Sequence, residues 1–342
     1  MKHNNNFDFL RFLFSFLVVI GHSIILSGKP EFWNDFFAAM PNYSVYSFFV
    51  ISGFLIYSSF DRLNDLKKYI RNRLKRILPA YIFVVIFFSV FLFVFSSTDI
   101  TNYFSKDWLK YLEANLVFAN FLKPCIPFVF TANPECAVNG SLWTIKVEIM
   151  FYVFVPILYY FLTGKSLKTK NIILVILYLL SFAYGYFVGK NYNYEMAKQF
   201  PGSLIYFVSG IFLYLNLDFF KNNRTRLLPI AIILGVLELY FLPIILVFPF
   251  ALSIVIIWFA FARIPLNNFG KYGDFSYGMY LVHFPIIQIF VQEGIYDRYS
   301  FLGLTVSYIV IILSSILIWK FIESPFLKKK RTLGSDNKKI TS

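Results

Sequence analysis

Residues 77–97 read ILPAYIFVVIFFSVFLFVFSS, a stretch without one charge, and directly before them stands Arg71-Asn72-Arg73-Leu74-Lys75-Arg76. Roughly 20 apolar residues in a helix cross a hydrocarbon core about 30 Å thick. A cationic block at one end of such a run marks the side the chain leaves in the cytoplasm. Working outward, further apolar runs bounded by charge or turns fall near 8–27, 43–60, 142–163, 171–189, 200–217, 227–243, 246–262, 275–292 and 302–322. The 227–262 stretch far exceeds one span, and Leu242-Pro243 and Phe248-Pro249 interrupt it, so a hairpin is expected there. The first run contains Arg11 and His22 and has no small-x-small site after it, which favours a mature helix over a cleaved signal.

The expected fold is therefore an all-α polytopic integral membrane protein of about ten transmembrane helices. It forms one membrane domain over 1–327, followed by a basic cytoplasmic tail, 328–342, expected to be disordered. Composition agrees. The chain has 342 residues, 58% hydrophobic and only 15% charged, whereas soluble domains carry about a quarter charged residues. Its formal charge of +14 would suggest nucleic acid in a soluble protein. With the N-terminus inside, about 22 of the Lys and Arg side chains fall in cytoplasmic segments, about 7 outside and about 3 in spans, the bias of a correct orientation with both termini cytoplasmic. The charge is then a property of one face, and no nucleic-acid partner is implied.

An ionisable group inside a bilayer costs a few kcal/mol and is a functional hypothesis by default. Arg11 and His22 share one helix, about 16 Å apart at 1.5 Å per residue, and lie on one face. Glu148 starts the fourth run from the outside at a depth similar to that of His22. A carboxylate beside an imidazole fixes its tautomer and stabilises the imidazolium. Arg73 and Arg76, at i and i+3 on a helix, can grip phosphate oxygens together, although topology and anionic lipid need the same charge without any geometry. Glu238 and Lys146 lie near outer helix ends, where snorkelling explains them. Cys125 and Cys136 lie eleven apart in the outer segment 98–141. A disulfide and two buried thiols both fit that spacing. Three histidines in all argue against a multi-histidine metal site.

Several of these residues fall in ordered motifs. Asp8-Phe9-Leu10-Arg11 with His22 resembles the Arg-x10-His signature of membrane acyltransferase family 3, the O-antigen acetylase-like acyltransferases. Phe48-Phe49-x-x-Ser52-Gly53-Phe54-Leu55-Ile56, Arg73-x-x-Arg76-Ile77-x-Pro79-x-Tyr81, Ser141-Leu142-Trp143-Thr144-Ile145-x-Val147-Glu148, Ser276-Tyr277-x-x-Tyr280-Leu281-x-His283-x-Pro285 and Glu323-x-Pro325 are similar to its later motifs, in order. Lys146 stands where that family usually has a small residue, and Ser324 replaces a frequent Arg. The extracytoplasmic SGNH esterase-like domain that some relatives append is not expected here.

The resemblance implies transfer of an acyl group, most often acetyl, from cytoplasmic acyl-CoA as co-substrate to a hydroxyl of a cell-surface or membrane-linked carbohydrate. It also implies a bacterial inner-membrane location and no permanently bound cofactor. His22 is expected to be the base, with Glu148 orienting it. Arg73 and Arg76, with Arg71 behind them, are expected to hold the donor phosphates, Arg11 to contact phosphate or the thioester carbonyl, and Tyr280 and His283 to line the substrate path. Ser52 and Gly53 are expected to permit close helix contact. A transporter or flippase would also place charges inside a bundle, but the chain lacks paired half-repeats with matching broken helices.

Overall fold

The computed structural model describes residues 5–32, 35–242, 244–266 and 269–327. The basic tail expected over 328–342 lies outside the described residues. The ten apolar runs all lie on helices: α1 (Phe7–Ser27), α2 (Met40–Leu63), α3 (Leu66–Phe91), α4 (Trp143–Leu162), α5 (Leu167–Asn191), α6 (Phe200–Leu215), α7 (Leu217–Phe241), α8 (Phe248–Ala260), α9 (Ser276–Gln292) and α10 (Ile295–Ile318). No strand occurs among the described residues. By length and composition α1 to α5 and the segment that α10 opens can each cross a membrane, and α6 with α7 adds a seventh candidate as a pair bent by 107°. Helices α8 and α9 are shorter, at 13 and 17 residues.

Helix α3 begins eleven residues before the apolar stretch, because its basic first turns are good helix formers and Asp65 caps them, accepting from the Lys68 N–H at 2.9 Å. The apolar run marks where lipid would lie, and the cap marks where the helix starts. The hairpin at 242–247 forms as expected, but Glu238 does not snorkel. It is 3% exposed and accepts from the backbone N–H groups of Leu246 and Val247, both at 2.7 Å, and of Phe248. The carboxylate thereby satisfies the orphan donors at the N-terminus of α8. A helix of about 20 Å can then begin below the surface without leaving bare N–H groups in an apolar setting.

Helices α2 and α6 make the closest crossing. A Cβ on Gly53 would stand 2.0 Å from the Phe207 carbonyl oxygen, and one on Gly210 would stand 2.1 Å from that of Val50. Both positions therefore need glycine, as the close contact expected at Ser52-Gly53 requires.

Two apolar clusters result. One is built mainly on α2, α4, α6 and α8, the other on α1, α3, α9, α10 and the outer segment. In that outer segment Cys125 is bonded to Cys136, with Cα atoms 5.4 Å apart. Gln288 of α9 donates to the carbonyls of Glu135 at 2.6 Å and Ala137 at 2.9 Å, so the closed loop rests on the outer end of α9.

Candidate active site

A cavity of about 110 Å³ opens at the seam between the two clusters, with Val45, Phe49 and Ile51 on one wall and Ile77, Ile145 and Tyr280 on the other. Toward the basic start of α3, here called the inner end, stand Arg11, Arg73 and Arg76, with Glu148 and Tyr152. The ladder from α1 to α9 that aligns this end is direct: Ser15 Oγ donates to the Ser276 carbonyl at 2.9 Å.

The three guanidiniums differ in their partners. Arg76 donates to Asp274 and lies 3.7 Å from Glu323, which is 1% exposed. Arg11 shares Asp274 at 3.4 Å and faces Asp8 at 3.6 Å. Burial pushes the Asp274 carboxyl up, but the Arg76 and Arg11 guanidiniums outweigh it and hold the group at about 2. Among the described residues Arg73 forms no ion pair. It donates to Ser59 Oγ at 2.9 Å and lies over the rings of Tyr69 and Tyr152 at 5.5 and 5.6 Å. Its buried Nε has no acceptor. Arg73 thus keeps a charge and a donor for a ligand. Arg71 is exposed and does not line the cavity.

Glu148 lines the cavity and accepts from Tyr152 Oη at 2.6 Å, one helical turn on. The partner of the His22 ring is a different residue. Nδ1 of His22 lies 2.8 Å from Nε2 of His283. The two ring planes are 10° apart with centroids at 5.0 Å, the geometry of an in-plane hydrogen bond between ring edges. His283 is fully buried, and its Nδ1 lies 2.8 Å from the Tyr280 carbonyl oxygen.

These contacts fix the protons of the neutral pair. A carbonyl only accepts, so Nδ1 of His283 carries hydrogen and its Nε2 carries the lone pair. His22 must then donate from Nδ1, which leaves Nε2 of His22 bare. The ring is only half-buried. Tyr280 connects this pair to the cavity: its carbonyl holds His283, its ring lines the wall, and its hydroxyl meets Thr144 Oγ1 at 2.8 Å and donates to the Ser141 carbonyl at 3.2 Å. Asp274 escaped the sequence reading, whereas Glu323 and Tyr152 stood in or beside the recognised motifs with no role assigned to them.

A family described as an acyltransferase domain matches residues 4–320. The chain belongs to acyltransferase family 3. This family 3 chain is 24% identical to the O-acetyl transferase of Shigella phage Sf6, over 96% of its own length and 98% of the phage protein. It is 27% identical to nodulation protein 10 of Rhizobium leguminosarum bv. viciae, over 46% of its length and 44% of that protein. An uncharacterized protein of Haemophilus influenzae is 32% identical over 48% of the chain and 67% of that protein. No solved structure matches. The enzyme is an acyltransferase, and Tyr280 links the wall of its cationic cavity to the histidine pair.

Proposed function

We propose that the enzyme transfers an acetyl group from cytoplasmic acetyl-CoA to a hydroxyl of a membrane-linked or cell-surface carbohydrate, in a bacterial inner membrane. The bare Nε2 of His22, created by the chain from the Tyr280 carbonyl through His283, is the observation that carries the reading. The near full-length likeness to an O-acetyl transferase supports an oxygen acceptor. The ten helices are read as ten crossings with both termini cytoplasmic. The disulfide supports that orientation, since it belongs to an oxidising compartment and lies on the side opposite the basic loops.

Arg73, which has no ion pair among the described residues, meets the donor phosphates, while Arg11 and Arg76 shape the inner mouth around Asp274. Arg71 lies farther out and contributes only to the general field. Nε2 of His22 takes the proton of the acceptor hydroxyl as its oxygen attacks the thioester carbonyl. The C–O bond forms, the C–S bond breaks, and the departing thiolate recovers the proton. Thr144, Tyr280 and the Tyr152–Glu148 pair line the passage between donor and base. Glu148 acts on that passage, and its orienting role at His22 passes to His283.

Membranes holding the full chain are incubated with acetyl-labelled acetyl-CoA, and the label is located in glycan fractions. Wild type labels glycan, His22→Ala does not despite equal expression, and Arg73→Ala labels only at raised donor concentration. Equal labelling in all three would defeat the reading.

A further inference from the structure

The donor cavity accounts for one face of the outer half of α2, and a second space lies behind the other. Val45, Phe48 and Phe49 face the cavity, whereas Asn42, Tyr43 and Tyr46 line a separate cleft of about 530 Å³ between the outer ends of α2, α5 and α6 and the α7–α8 hairpin. We propose that this cleft is the acceptor site, and that the acceptor is a glycolipid that enters sideways from the outer leaflet. The inference rests on the acyltransfer reading above and names the substrate's entry.

The two walls differ in chemistry. One end is polar and aromatic: the Tyr46 hydroxyl meets that of Tyr194 at 2.5 Å, and Lys198 Nζ lies 4.5 Å over the Trp143 ring and 2.6 Å from Glu195. Flat rings edged with hydroxyls and an ammonium suit the C–H faces and hydroxyls of a sugar. The other end is apolar. Ile244 and Ile245, 41% and 48% exposed, form its lip. Gly185 and Gly189, one turn apart on α5, leave a floor without side chains. The head of an amphiphile matches the first end and a hydrocarbon chain the second.

Position gives the cleft its role. Lys198 of the cleft packs on Trp143, and the next residue, Thr144, lines the donor cavity, so the start of α4 stands between the two spaces. Lys198 is near enough to His22 for its charge to act on the ring. A sugar held at Lys198 therefore lies within the same electrostatic reach of the base, while its lipid remains at the membrane surface of α5.

The test uses the full chain in nanodiscs and a photoreactive dodecyl maltoside, with a phosphocholine-headed probe of the same tail as control. Saturable labelling of peptides containing Tyr194, Lys198 or Ile245 is expected for the maltoside alone. A Cβ at Gly189 would meet only Ala197 Cβ, at 3.6 Å, so the backbone tolerates a side chain there. Gly189→Trp should cut labelling about tenfold or more, equivalent to about 1.4 kcal/mol. Tyr194→Ala at the exposed lip should weaken it as well, and both variants should keep wild-type acetyl-CoA binding. Equal labelling by both probes, or labelling indifferent to both substitutions, would overturn the proposal. Loss of the His22 and Arg73 effects on acetylation, with the headgroup-dependent labelling intact, would defeat the transfer reading and leave the cleft standing.

Discussion

Around Arg73 the cavity is surrounded by full charges, three guanidiniums with the carboxylates of Asp274, Glu148 and Glu323 close by, whereas around His22 the polar groups are two imidazoles, two hydroxyls and backbone carbonyls. Both ends are buried among apolar helices, yet they solve the cost of burial differently. At the inner end Arg76 and Arg11 are offset by Asp274, Glu323 and Asp8, Glu148 accepts from the Tyr152 hydroxyl, and Arg73, with no ion pair among the described residues, remains for an anionic ligand. The outer end uses direction instead: each donor of the chain meets one acceptor, the chain ends in a free lone pair, and the full charge that reaches it comes from Lys198. One end is suited to holding a polyanion and the other to moving a proton.

Substitution at the two ends should therefore change different kinetic constants. His22→Ala is expected to lower kcat by about 10²- to 10⁴-fold, the usual contribution of a general base, with the donor KM unchanged. Arg73→Ala should raise the donor KM about ten- to a hundredfold, as loss of a charged hydrogen bond does, and leave kcat near wild type. Arg71→Ala should change neither. Steady-state kinetics on the solubilised enzyme checks all three, and a shared fall in kcat for His22 and Arg73 variants would break the division.

The outer chain can be probed at its middle link. His283→Phe removes the acceptor that fixes the His22 tautomer, and kcat should fall about tenfold or more. His283→Gln retains a carbonyl acceptor and should recover part of that loss. Equal activity of the Phe and Gln variants would mean that shape alone matters at 283.

The helices were legible because spans of about 20 apolar residues leave a signal that no soluble fold imitates, and the charge counts supplied an orientation. That His22 and Arg11 stand about three turns apart on α1 was legible as well. Which side chains meet at one depth was not. Glu148 was expected at His22 and His283 on the substrate path, and only the packed helices show that the His283 ring meets His22 while Glu148 meets Tyr152. Glu238 was misread for a related reason: its partners are backbone N–H groups of a helix that starts below the surface, and hydropathy carries no mark for a buried helix start. Asp274 was hidden in a loop, where a carboxylate looks ordinary until two arginines are found on it.

That carboxylate offers a test of the inner end that needs no substrate. Asp274→Asn leaves Arg76 and Arg11 with one partner fewer each, and thermal unfolding in detergent should show a loss of about 1–3 kcal/mol. The pH dependence has a defined sign. With its folded pKa at about 2 against an ordinary 3.8, Asp274 stabilises fully above the ordinary value and loses that contribution as pH falls toward 2. Wild type should therefore destabilise more steeply than Asp274→Asn between about pH 4 and pH 2. Parallel curves would show that the ion pairs add nothing to stability.

The smallest effect should come where the two ends meet. Tyr280 serves both: its carbonyl holds His283, and its hydroxyl meets Thr144 and Ser141 on the cavity wall. Tyr280→Phe keeps the carbonyl and the ring, so the His22 tautomer survives. Thr144 Oγ1 still donates to the Ser141 carbonyl at 3.0 Å, so the deletion leaves no unpaired donor. The cost is then one neutral hydrogen bond, about 1 kcal/mol, or a severalfold change in kcat with both KM values unaltered. A loss as large as that of His283→Phe would instead make the phenol itself part of the proton path, and the uncharged chain would have to be redrawn to run through the cavity wall.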